Sequence, residues 1–146
     1  MKKTNGHFLA FVMTTLTLFF VVSCSKSSNS SSAITVQNLV GTYTLTSLTV
    51  TIAPFPPQNI LDSIPACQRD DQYKLNADMS YDYIDAGVQC NPPDNGAGTW
   101  SLSGNTIIID TTSATIQKFD GKNLTLSTQV QYNGIAATTT ETLTKQ

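Results

Sequence analysis

The 146-residue chain has one histidine (His7), one glutamate (Glu141), one arginine (Arg69) and one tryptophan (Trp100), and only 12% of its residues are charged. Each scarcity excludes something. A basic nucleic-acid binder needs a clustered Lys/Arg footprint, so nucleic acid is not an expected partner. His7 lies in a segment read below as a removed leader, so the mature chain has no histidine for acid–base work or metal ligation. No candidate nucleophile has a base beside it. The expectation is therefore a protein that is not an enzyme, with no cofactor and no metal site. Helical periodicity longer than two turns is also missing from Asn38 onward. What is abundant is threonine and alternating apolar residues, and the hydrophobic fraction of 40% is too high for a disordered chain. The length suits one domain.

The first residues read as an address. Lys2 and Lys3 precede the uncharged run Phe8–Val22, which is too short for a typical membrane span and has the length of a signal-peptide core. The run ends in Val21-Val22-Ser23-Cys24, which resembles a bacterial lipobox. That resemblance implies cleavage after Ser23 and lipidation of Cys24, hence a membrane partner through a lipid anchor. Ser25–Ser32 (SKSSNSSS) reads as a flexible tether. No Asp follows Cys24, which favours the outer membrane of a bacterial envelope as the location. The expected parts are a signal peptide at 1–23, a lipidated Cys and tether at 24–37, and a folded domain at 38–146. After cleavage, six basic residues face ten acidic ones, a net charge of −4 that suggests no particular partner.

The remainder reads as an all-β chain of eight strands joined by turn signals. They are expected at Gly41–Ile52, Asp71–Leu75, Ser80–Asp85, Thr99–Leu102, Thr106–Thr111, Ala114–Phe119, Leu124–Tyr132 and Ile135–Thr144. In the first, the alternation slips from Tyr43 and Leu45 to Leu48, Val50 and Ile52, which predicts a β-bulge near Ser47. Asp120-Gly121 and Asn133-Gly134 are hairpin turns by composition. A meander of this kind removes its exposed edges by closing into a barrel, and eight strands enclose either packed side chains or one small ligand. Two segments interrupt it. Ala53–Ala66 has four prolines and still carries Phe55, Ile60, Leu61 and Ile64, with one helical turn expected over Gln58–Ser63. Val88–Ala97 reads as a polar turn region.

Asn38-Leu39-Val40-Gly41-Thr42-Tyr43 resembles the opening of lipocalin-like domains, with Tyr43 where a Trp is usual. The later order of Cys67, Asp70, Asp71, Cys90, Gly98-Thr99-Trp100-Ser101-Leu102 and Ile116–Leu126 resembles the small lipocalin-like lipoproteins of Bacteroidetes-type bacteria. The resemblance covers about Leu39–Thr144 and implies an eight-stranded antiparallel barrel. The Thr-Asp-Tyr motif and late Arg that close the barrel floor of the classical lipocalins are missing, so the resemblance does not extend to their ligand classes.

Cys67 and Cys90 are the pair left after Cys24. In an oxidising envelope they read as a disulfide, with two free thiols as the other reading. The bond would contribute roughly 3.5 kcal/mol in the chain-entropy account. Asn76, Asp78, Ser80 and Asp82 alternate as in a calcium loop, but Tyr81 and Gly87 occupy positions where that loop requires Gly and Glu. Asp70 and Asp71 read as a solvated strand start. Tyr43, Tyr73, Tyr81, Tyr83 and Trp100 form an aromatic set that either packs the core or walls a pocket. The proline-rich loop is expected to close one barrel end as a lid over Tyr73, Tyr81 and Tyr83. Two functions follow: binding of a small apolar ligand, or a structural or protein-interaction lipoprotein with a filled barrel. A third, inhibition of a hydrolase, would need the proline loop to protrude as a wedge.

Overall fold

The computed structural model describes residues 31–146. The expected signal peptide, Cys24 and the tether as far as Ser30 lie outside the described residues. The strands are β1 (Gly41–Thr51), β2 (Gln58–Asn59), β3 (Gln72–Leu75), β4 (Ser80–Ile84), β5 (Gly96–Ser103), β6 (Thr106–Ile109), β7 (Thr112–Phe119), β8 (Asn123–Tyr132) and β9 (Ile135–Lys145). All pairings are antiparallel, and β1 also pairs with β9, so β1 and β3–β9 form a closed eight-stranded barrel. The two-residue β2 hangs on the far end of β1, through Thr49–Asn59 and Val50–Gln58.

Local chemistry explains the path. At the β8–β9 hairpin, Asn133 (φ 50°) and Gly134 (φ 79°) both take left-handed backbone, as a tight twisted hairpin requires. Asp120 holds the β7–β8 turn by accepting from the backbone N–H of Lys122 (2.9 Å) and Asn123 (2.6 Å). Those donors hold the Asp120 carboxyl down at about 2. The expected bulge in β1 is present. Leu45 pairs with Leu143 and Ser47 with Thr142, leaving Thr46 as the extra residue. Its hydroxyl donates to the Thr142 carbonyl at 3.1 Å. The bulge returns Leu48 and Val50 to the inner face that Tyr43 and Leu45 occupy. A second bulge, between Ile116 and Lys118, is not in the sequence reading. It lets Ile116 and Phe119, three residues apart, both face the core.

The core lies towards one end. Leu39, Tyr43, Leu45, Leu75, Trp100 and Phe119 are among its buried members, joined by Leu124 and Leu143. The short helix α1 (Val36–Leu39) plugs this closed end, with the Thr35 hydroxyl accepting from Asn38 N–H at 3.3 Å. Ile34 and Val36 pack on the core, and Ser32 N–H donates to the Phe119 carbonyl at 2.8 Å. The last residues assigned to a tether ending at 37 therefore belong to the folded domain. Their apolar Ile34 and Val36 repay ordering by burial.

The opposite end carries the long connections. The helical turn expected over Gln58–Ser63 is instead β2 followed by a 3-10 turn at Leu61–Ser63. Ile60 N–H donates to the Leu48 carbonyl (2.9 Å), and the Asn59 side chain accepts from Leu61 N–H (2.9 Å), so the strand edge and an Asn turn capture this stretch. A further short helix, α2 (Ala66–Arg69), precedes β3. The polar region Val88–Ala97 ends early, because β5 already starts at Gly96.

Candidate functional site

The open end is built on loops that polar groups hold together. Cys67 in α2 is disulfide-bonded to Cys90 in the β4–β5 loop. Around this link, Gln68 Nε2 donates to Asp94 at 3.3 Å and Arg69 pairs with Asp62 at 3.0 Å. Two carboxylates are buried there. Asp85 accepts from the N–H of Cys90 (3.1 Å) and Asp94 (3.0 Å). Asp71, 0% exposed, accepts from Ala86 N–H at 3.2 Å and from the Tyr83 hydroxyl. The sequence reading of Asp70 and Asp71 as a solvated start is thus corrected. Asp70 accepts from Val88 N–H at 2.8 Å, and both residues fasten the β4–β5 loop to the start of β3. Buried carboxylates survive there because N–H and O–H donors replace water.

The five aromatic residues separate into two groups. Tyr43 and Trp100 are 0% and 2% exposed. Tyr43 donates its hydroxyl to the Leu39 carbonyl at 2.7 Å, and burial pushes its pKa up to about 12. Trp100 Nε1 donates to the Asn76 carbonyl at 2.9 Å. Both polar tips are satisfied at the closed end, so these two are core and do not wall a pocket. Tyr73 and Tyr83 are cross-strand partners with ring centroids 5.2 Å apart, and Tyr81 pairs with Leu75 on the same inner face. All three are half-buried. Burial, with Glu141 as a lesser cause, raises Tyr73 to about 12; burial also raises Tyr81 to about 12, helped by Tyr73, Asp110 and Glu141. Burial and the hydrogen bond to Asp71 raise Tyr83 further. The hairpin at Asn76–Asp82 holds itself together. Asn76 Nδ2 donates to Ser80 (2.9 Å) and Asp82 (2.8 Å), and Asp78 accepts from Ser80 N–H at 3.0 Å.

A cavity of about 440 Å³ opens at the mouth, lined by Val50, Ile52, Phe55, Pro56, Gln58 and Ile60. Its wall is almost entirely carbon, and the amide of Gln58 is turned aside to the Pro56 carbonyl at 3.1 Å. The cavity is made by the proline-rich loop and the end of β1, not by the aromatic set. The four lid residues divide accordingly. Phe55, 66% exposed, and Ile60 line the cavity, whereas Leu61 and Ile64 pack against the barrel core. Sequence reasoning missed Val50, Ile52, Pro56 and Gln58 as lining residues. It also missed Glu141, whose place on the inner face was visible from its parity with Leu143.

A family model described as a lipocalin-like domain matches residues 39–143. Searches of curated proteins and of solved structures returned no match.

Proposed function

Because the chain belongs to the lipocalin-like domain family, we propose that it is a lipid-anchored envelope protein whose barrel binds a small apolar molecule at its open end. The observation that carries this reading is the carbon-lined mouth cavity of about 440 Å³. That volume lies in the range of small-molecule sites, and its wall offers burial in place of specific polar contacts. The loop roofing it is anchored through Leu61 and Ile64, so Phe55 and Pro56 form a lip above a fixed frame. Binding, and not catalysis, suits the buried carboxylates: donors engage Asp71 and Asp85 in holding loops. The anchor and the outer-membrane location rest on the sequence Val21-Val22-Ser23-Cys24 at the end of an uncharged run.

The test has two arms. Mass spectrometry of the tag-free domain should find a co-purifying apolar molecule, and an environment-sensitive apolar dye should bind and be displaced by it. A domain that purifies empty and ignores apolar probes would sink the binding reading. For the anchor, Cys24→Ala should remove acyl mass and move the protein out of the membrane fraction. Unchanged fractionation and mass would reject it.

One observation favours the interaction-module alternative. Phe55, Val88, Val130 and Ile135 stand exposed on connections or strand ends at the open end. An apolar rim of this kind also fits a protein contact. The wedge-like inhibitor loses support, because β2 pairs the proline-rich loop onto β1.

A further inference from the structure

Glu141 is the single glutamate of the chain, and it lies inside the barrel. Its cross-strand partners are Leu48 on β1 and Leu126 on β8, both on the inner face. The next inner rung towards the mouth is Val50–Thr139–Thr128, and Val50 is a wall of the cavity. Two residues along a strand amount to about 7 Å, so Glu141 stands one inner rung below the cavity wall at Val50. Among the described residues, the ion pairs are made elsewhere, by Arg69 with Asp62 and Lys74 with Asp82. Lys145 reaches the Asn38 carbonyl at the closed end. The groups that face Glu141 across the barrel are the phenols of Tyr73 and Tyr81, which feel its charge.

We propose that the ligand of this barrel is a cationic amphiphile: an apolar body against Val50, Ile52 and Ile60, and a protonated amine that enters first and pairs with Glu141. This rests on the binding reading above and names the ligand's chemistry. A half-buried carboxylate without a cation is costly, and a ligand ammonium offsets that cost where water is scarce. Burial alone pushes the Glu141 pKa above the usual carboxylate value, the direction expected of a site waiting for its countercharge. The faces of Tyr73 and Tyr81 suit an ammonium as well. A carboxylate-headed lipid, by contrast, would meet like charge.

The test uses the tag-free domain and the neutral reporter N-phenyl-1-naphthylamine, displaced by decylamine, 1-decanol or decanoate. The three competitors share their chain and differ in the head. Decylamine should displace the reporter at a concentration at least about tenfold below decanol, with decanoate weakest. In Glu141→Gln the amine should lose its lead over the alcohol, with a thermal melt confirming the fold. If that variant does not fold, the wild-type ranking still decides. Reporter binding with amine and alcohol equal, or with decanoate ahead, overturns the amine assignment and leaves the apolar site standing. Neither the reporter nor any competitor binding, by displacement or by direct calorimetry, overturns both.

Discussion

At the closed end of the barrel apolar side chains meet one another, whereas at the open end they meet loops and space. The closed end is filled by Leu39, Tyr43, Trp100 and Phe119 beneath a one-turn helix. The open end is fastened by the Cys67–Cys90 bond and by Asp70, Asp71 and Asp85, each accepting a backbone N–H from the β4–β5 loop. One end is stabilised by burial, the other by covalent and polar cross-links. The difference teaches how a small barrel keeps a cavity: the frame around the mouth does not depend on filling it.

The contrast is best broken from the closed end. Trp100→Ala should destabilise by about 3–5 kcal/mol, read by denaturant unfolding, because it leaves a cavity in the packed half. A cost below about 1 kcal/mol would mean that the two ends are packed alike. Next in size is the mouth frame. Replacing Cys67 and Cys90 together by Ser should cost about 2–4 kcal/mol and loosen the loops over the cavity. Hydrogen exchange should then rise first in the β4–β5 loop and α2, with α1 still protected. Equal loosening at both ends would erase the distinction. Asp85→Ala leaves the Cys90 and Asp94 N–H groups without their acceptor, so a loss of about 1–3 kcal/mol is expected by thermal or chemical unfolding.

Smaller effects sharpen the comparison. Burial raises the Glu141 pKa above its ordinary 4.5. The folded state therefore holds a proton that the unfolded state releases as pH rises past that value. Stability falls across this interval, up to the raised folded value. Glu141→Gln should accordingly be more stable than the wild type at neutral pH and level with it well below 4.5. Melting curves across that range check the sign, and a neutral-pH loss would place a partner on the carboxylate. The smallest change in stability belongs to Phe55→Ser, within about 0.5 kcal/mol because the side chain is mostly exposed. Its dye affinity or exchange rate should still move, since the ring is a lip of the cavity.

Much of the barrel was legible because alternation and turn chemistry are local. The slip between Leu45 and Leu48 marked the first bulge, and Asn133-Gly134 marked a hairpin with left-handed residues. The start of β5 was hidden because Gly96 and Gly98 look like loop. In the sheet they lie opposite Tyr83 and Tyr81, and the place a Gly98 side chain would take is held by the Asp110 carboxylate, which accepts from Thr99 N–H. The second bulge was written in the three-residue spacing of Ile116 and Phe119, which breaks strict alternation. The site was less legible. Alternation tells which face a tyrosine takes but not what covers it: Tyr43 and Tyr73 are cross-strand partners, yet α1 covers Tyr43 and takes its hydroxyl on Leu39, while Tyr73 stays half-buried. Asp71 read as solvated, and Asp85 drew no reading beyond ending a strand, because their N–H donors, Ala86 and Asp94, come from loop geometry that no short motif encodes.

The N-terminal lead enters at the closed end, where Ser32 bonds to Phe119. A leash tied beneath a cup leaves its rim unobstructed. Seven residues lie between Cys24 and Ser32, and the eight steps from one to the other reach at most about 29 Å fully extended. The longest strands, 11 residues in β1 and β9, make the barrel comparably tall. With Cys24 as the proposed anchor, a tether as long as the barrel is tall joins the molecule at its plugged floor, the end opposite the cavity. The attachment then leaves the mouth clear, because the chain that would hold the protein never passes over Val50, Ile52 or Phe55.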